Sequence, residues 1–128
     1  DASVDTLANM HRKKTGALIE AAVQLGALTA TRDPVVLQQL TGYARPLGLA
    51  FQVVDDILDG TADTETLGKL AGADRQKGKP TFLSALGESS SRHYAQALGD
   101  EAIAALDHAP FNSTLLIALA RFTIERSH

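Results

Sequence analysis

Apolar residues along this chain recur at three- and four-residue intervals. No run alternates apolar with polar long enough for a strand. Leu18, Ala22, Leu25 and Leu28 form one stripe, and Tyr94, Leu98, Ile103 and Leu106 a second. Leu116, Leu119, Ala120 and Ile124 form a third. The pattern predicts an all-α chain. A first helix should span about 4–12, break near Lys14, and resume with Thr15 as the cap of a helix reaching Leu28. After a turn at 29–32, Asp33-Pro34 is a strong helix start, a capping Asp followed by Pro at the first helical position. That helix should continue to Asp59, kinked between Gly42 and Pro46 and stopped by Gly60. From Gly60 to Pro80 the sequence reads as irregular. A short helix follows at 81–86. Ser89 to Ser91 should cap a helix reaching His108, Pro110 should end it, and Ser113 should begin the last one.

Within this pattern, Phe51-Gln52-Val53-Val54-Asp55-Asp56-Ile57-Leu58-Asp59-Gly60 is out of place. Read as helix, Gln52, Asp55, Asp56 and Asp59 share one face at i, i+3, i+4 and i+7. Phe51, Val54, Ile57 and Leu58 take the packing side. Three carboxylates near a helix C-terminus oppose its dipole at roughly 0.3–1 kcal/mol each, and they repel one another. A cation is the simplest compensation. Oxygen donors with no His or Cys nearby suit a hard ion such as Mg²⁺, which fills its remaining positions with water and phosphate oxygens. The alternative is a solvated acidic helix end.

Composition narrows the classes. The chain has 128 residues, a length that fits one domain able to bury roughly two-thirds of its unfolded surface. Hydrophobic residues make up 45%, which places it among globular chains. Twelve basic against fifteen acidic residues give −3, which argues against a general nucleic-acid binder. Charge is local instead, acidic at 55–59 and basic at 12–14 and 69–79. There is no cysteine, hence no disulfide framework or thiolate chemistry. No apolar run approaches the roughly 18 residues of a membrane span. Asp1-Ala2-Ser3-Val4-Asp5 is not a signal peptide, so a cytoplasmic setting is expected. The chain begins in what reads as mid-protein sequence, which suggests a fragment.

The basic residues bear on the same chemistry. Lys13 and Lys14 lead into the expected helix start at Thr15, where N–H groups and the dipole favour anions. Lys69, Lys77 and Lys79 lie in a glycine-rich stretch, and lysine is a flexible point charge suited to phosphate. Taken singly, each is as well read as a solvated turn or loop. Together, carboxylates flanked by lysines describe a Mg-diphosphate site. His11, His93, His108 and His128 show no ligand spacing and read as structural or surface residues.

Several segments carry a family resemblance. GLAFQVVDDILD, residues 48–59, resembles the second aspartate-rich motif of the trans-isoprenyl (polyprenyl) diphosphate synthases. HRKKTGALIEAA is similar to that family's lysine-threonine segment, DTETLGKLAGADRQKGKPTF to its following loop, and ALARFTIERSH to its C-terminal helix. The likeness runs in order through most of the chain and is strongest to the bacterial farnesyl diphosphate synthases. It implies the C-terminal part of the isoprenoid synthase helical bundle, with residues 1–128 one segment of a larger domain. It also implies Mg²⁺-dependent condensation of an allylic diphosphate with isopentenyl diphosphate, and a homodimer in the complete enzyme. By motif match, Asp55 and Asp59 would serve the Mg²⁺, with Asp56 supporting. Lys69 and Lys79 would contact the allylic diphosphate. Lys14, Thr15 and Gln52 would line the carbocation, and Phe51 would form part of the apolar wall.

Some features depart from the family pattern. Pro46 stands where an ordinary helix former is expected, and the family's basic tail is reduced to Arg126. The first aspartate-rich motif and the isopentenyl-binding Arg/Lys residues have no counterpart in these 128 residues, so the chain alone is expected to be inactive as a synthase. Two other classes stay open. One is a non-catalytic helical subunit needing a partner. The other is a helical interaction module whose acidic face only looks like a metal site.

Overall fold

The computed structural model describes residues 3–62 and 80–126, and within these all regular structure is helical. The elements are α1 (Val4–His11), a π-helical stretch (Arg12–Gly16), α2 (Ala17–Leu28), α3 (Pro34–Ala62), α4 (Phe82–Leu86), α5 (Glu88–Ala104) and α6 (Thr114–Glu125). The expected all-α class holds.

The helix α3 is the central element. It packs mainly on α5, with α2 and α6 against other parts of its surface. Asp33 starts it as expected, its Oδ1 accepting the Val35 N–H at 3.0 Å. Two clusters divide the core along its length. Tyr43 and Leu47 meet Ala102, Leu106 and Ala120 in the first. Leu49, Ala50, Val53, Val54 and Ile57 meet Leu7, Ala8, Phe82, Ala95 and Leu98 in the second. Pro46 is buried inside a helix that continues past it.

Several expected boundaries move. Gly60 does not end α3, which continues to Ala62. The glycine is there for close approach instead, since a Cβ at this position would collide with the Leu83 side chain. The carboxylates therefore sit further from the helix end than the sequence implied. Ser89 to Ser91 do not cap α5. The cap position is Gly87, at φ 83°, a left-handed conformation open to glycine. Ser91 is buried inside the helix and donates to the Phe82 carbonyl at 3.2 Å. The helix also stops at Ala104 rather than near His108, because the chain tightens there into turns ending at His108 (φ 57°). Asn112 helps start α6, its Oδ1 accepting the Thr114 N–H at 3.0 Å, whereas Ser113 makes no side-chain cap bond.

The α2 stripe is open throughout, with Leu18, Ala22, Leu25 and Leu28 all exposed, Leu18 by 71%, and the expected core stripe of α6 fails at Leu119, which is exposed. The side of α2 turned to α3 carries Gln24 and Glu20 instead, each bonded across the seam. No helix among the described residues is long and apolar enough to cross a membrane.

Candidate functional site

The site begins with the way α1, the π stretch and α2 lie against α3. Gln24 Nε2 donates to Thr41 Oγ1 at 2.7 Å, and Arg45 Nε donates to Glu20 Oε1 at 2.6 Å. Further along, a Cβ on Gly48 would lie 3.2 Å from Ile19 Cδ1 and 3.7 Å from Gly16 Cα. At the far end the His11 ring stacks on Phe82 at 5.4 Å, and the Phe82 N–H is bonded to Asp56. Each step up α3 is matched by a step down the other strand of helix, so the two run antiparallel. That register brings Lys14 and Thr15 level with Gln52, between the Gly48 contact and the His11–Phe82–Asp56 group.

The expected break at Lys14 is absent. Helix continues from Val4 to Leu28 through a π turn, with the Ala17 N–H reaching back five residues to the Arg12 carbonyl. Such wide turns often mark functional sites. Thr15 is thus not a cap, and no helix start offers free N–H groups here. Any anion at this point would have to use the exposed Lys14 ammonium and the half-buried Thr15 hydroxyl.

The three aspartates have three different surroundings. Asp55 Oδ1 accepts from Arg126 Nη2 at 2.9 Å. Asp56 Oδ2 accepts the N–H of the fully buried Phe82 at 2.8 Å, which pins the start of α4. Asp59 is exposed. Successive helix residues point about 100° apart, so Asp55 and Asp56 face different neighbours. Burial pushes the Asp56 carboxyl above its ordinary range. The Phe82 N–H and His11 partly offset this, and the Asp55 and Asp59 charges add to it.

No three acidic or histidine side chains among the described residues are gathered closely enough to hold a metal unaided. The donor set still fits magnesium. Asp55 and Asp59 are water-accessible carboxylates one turn apart, roughly 5–6 Å between Cβ atoms by helix geometry. An ion bound by one or two carboxylates keeps water and phosphate oxygens in its other positions. Gln52, half-buried, stands beside them on the same stretch of α3.

Phe51 does not join the core, being 40% exposed. It lines an apolar cleft of about 350 Å³ with Ile19, Leu47, Leu119 and Phe122. The Arg126 guanidinium lies over its ring, 4.3 Å from Cζ to the centroid. Motif matching named Arg126 only as what remains of a basic tail and gave it no role. A single arginine after the last helix gives no sequence signal for a partner 71 positions away. His93 and His108 are exposed, and His11 packs on Phe82. Lys69, Lys77, Lys79 and His128 lie outside the described residues.

This arrangement defines a helical bundle with a carboxylate-bearing helix facing a lysine-threonine turn. Residues 1–107 match the polyprenyl synthetase family model, and the chain belongs to that family. It is 47% identical over 128 residues to the farnesyl diphosphate synthase of Escherichia coli (strain K12), covering 97% of this chain and 43% of that protein. It is 44% identical to the farnesyl diphosphate synthase of Haemophilus influenzae, over 97% of this chain and 42% of that one. Geranylgeranyl pyrophosphate synthase 10 of Arabidopsis thaliana is 43% identical over 80% of the chain and 30% of its own length. A crystal structure of a candidate farnesyl-diphosphate synthase from Marinomonas sp. MED121 superposes with a TM-score of 0.74 at 35% identity. It covers 95% of this chain and 40% of that one. The fold is accordingly that of the all-α isoprenoid synthases. The chain spans about two-fifths of the length of the farnesyl diphosphate synthases it matches.

Proposed function

We propose that this chain supplies the allylic-diphosphate-binding half of a magnesium-dependent prenyltransferase, of the kind that joins an allylic diphosphate to isopentenyl diphosphate. The observation that carries the reading is the register bringing Lys14 and Thr15 level with Gln52, one turn from Asp55, in a chain of the polyprenyl synthetase family. Asp55 and Asp59 would hold Mg²⁺, and Asp56 supports them by fixing α4 against α3. Mg²⁺, when bound, would draw off the charge that develops on the diphosphate leaving group.

The other roles at the allylic diphosphate would fall to the chain's own side chains. Lys14 would neutralise part of the anion and Thr15 would donate a hydrogen bond. Gln52 would present its amide oxygen to positive charge developing on the allylic carbon. Phe51 and the cleft beside it would keep water from that carbon. Lys69 and Lys79 would approach the diphosphate from the segment after α3. The complete enzyme would be a cytoplasmic homodimer, and the exposed α2 leucines would face the part of the domain that lies outside residues 1–128. Catalysis would need the residues that the relatives carry outside the matched region, so residues 1–128 alone should not turn over.

Thermal melts test the binding half of this reading. Mg²⁺ and pyrophosphate together should raise Tm, and neither alone should do so. No shift in any combination would favour an interaction module, or a site completed by residues outside this chain. The catalytic half is tested by supplying the chain with Mg²⁺, geranyl and isopentenyl diphosphates. Longer prenyl products formed at a rate near that of a full-length relative would contradict it.

A further inference from the structure

Arg126 makes three contacts with one short stretch of α3. Its Nη2 donates to Asp55 Oδ1 at 2.9 Å and to the Phe51 carbonyl at 3.4 Å, and its Cζ lies 4.3 Å above the Phe51 ring. The residue caps the C-terminus of α6, where a cation is favoured by the dipole. It also lies beyond residues 1–107, the part of the chain that the family model matches. Its side chain is 24% exposed and that of Asp55 44%. An ion pair this open to water is held by geometry more than by strength, and solvent screens it. A planar guanidinium suits both tasks at once, stacking on an aromatic face and forking toward a carboxylate.

We propose that Arg126 is a positioning residue that occupies Asp55 as an internal counter-cation, so that it and a bound divalent cation compete for the same carboxylate. This rests on the reading of Asp55 as a cation ligand. With the site empty, the guanidinium offsets the repulsion among the carboxylates and holds α6 against Phe51. When a divalent cation arrives, Asp55 must be released. The end of α6 then loses one of its three holds, and the charged rim of the apolar cleft under Phe51 and Phe122 is left on the two contacts to Phe51. Cation binding and the seating of α6 are therefore coupled through one oxygen.

The experiment is Mn²⁺ titration of the 128-residue chain, without substrate, in the wild type and in Arg126→Gln, Arg126→Lys and Asp55→Asn. It is paired with metal-free urea melts that include the Arg126→Gln/Asp55→Asn double variant. Arg126→Gln should bind Mn²⁺ roughly fivefold more tightly, the worth of a partly exposed ion pair. Arg126→Lys, which keeps the charge, should stay near wild type and guards against a folding defect in the glutamine variant. Asp55→Asn should lose Mn²⁺ binding. In the melts, the Arg126→Gln effect should shrink once Asp55 is already Asn. A merely structural arginine would lower stability equally in both backgrounds and leave Mn²⁺ affinity unchanged. Unchanged or weaker Mn²⁺ binding in Arg126→Gln, with Asp55→Asn still unable to bind, would overturn the competition and leave the cation site standing. Wild-type Mn²⁺ binding in Asp55→Asn would overturn both.

Discussion

The helices α2 and α3 lie side by side, and their apolar residues have opposite fates. In α3, Ala44, Ala50, Val53, Val54 and Ile57 are all 0% exposed. In α2, built almost wholly of Ala, Leu, Val, Ile and Gly, no residue is buried, and Leu25 is 67% exposed. The difference is one of neighbours. α3 is enclosed by α1, α2, α4, α5 and α6, whereas α2 meets α3 along a single seam. That seam is partly polar, with Gln24 on Thr41 and Glu20 on Arg45. Apolar sequence thus shows that a surface is to be covered, and packing within the chain decides whether it is. α2 carries its leucines on the side α3 does not reach, and that apolar area is left uncovered by the described residues.

The sharpest way to break this contrast is to substitute apolar residues of the two helices. Ile57→Ala opens a cavity in the second core cluster and should lower unfolding free energy by about 2–5 kcal/mol in urea melts. A loss under 1 kcal/mol would mean that α3 is not the enclosed element described. A smaller effect is expected at the other cluster. Tyr43 is buried there and its hydroxyl donates to the Leu116 carbonyl at 2.8 Å, so Tyr43→Phe should lose about 0.5–1.5 kcal/mol.

The same residue carries a pH signature. Burial pushes the Tyr43 hydroxyl from 10.0 to about 12. Below pH 10 both folded and unfolded chains keep the proton and stability is intact. Between 10 and 12 only the unfolded chain ionises, so stability falls as pH rises. Tyr43→Phe should flatten much of that alkaline loss. Tyr94, also pushed up by burial, should retain the rest. An unchanged alkaline profile would contradict the burial of Tyr43. The smallest effect belongs to α2. Leu18→Gln and Leu25→Gln should shift stability by no more than about 0.5 kcal/mol while reducing self-association in sedimentation runs. A loss of several kcal/mol would mean these leucines are packed within the chain.

Much of the fold was legible from periodicity, because helices announce themselves at 3.6-residue spacing and Asp33-Pro34 is a strong start signal. The short helix expected at 81–86 is present, and the structure adds that Thr81 caps it, exchanging bonds with Ser84 in both directions. What was not legible was anything set by a distant neighbour. Gly60 and Gly87 carry the same letter, yet Leu83 makes one a close-packing position and φ 83° makes the other a turn. The π turn at 12–16 was hidden because Thr15-Gly16 reads locally as a cap. At the site, spacing grouped Gln52, Asp55, Asp56 and Asp59 on one face. It could not show that Phe82 would take Asp56 and Arg126 would take Asp55, since both partners lie far along the chain.

The central claim is that the two adjacent aspartates divide the work, Asp55 toward a cation and diphosphate and Asp56 toward the fold. It is tested most directly by measuring Tm and pyrophosphate-dependent Mg²⁺ binding together in Asp55→Ala and Asp56→Ala. Asp55→Ala should lose binding with a stability change of no more than about 1 kcal/mol, since its ion pair is half exposed. Asp56→Ala leaves the buried Phe82 N–H without its acceptor and should lose about 1–3 kcal/mol of stability while still binding. The reverse pattern, binding lost at Asp56 with Tm unchanged and kept at Asp55, would contradict the account.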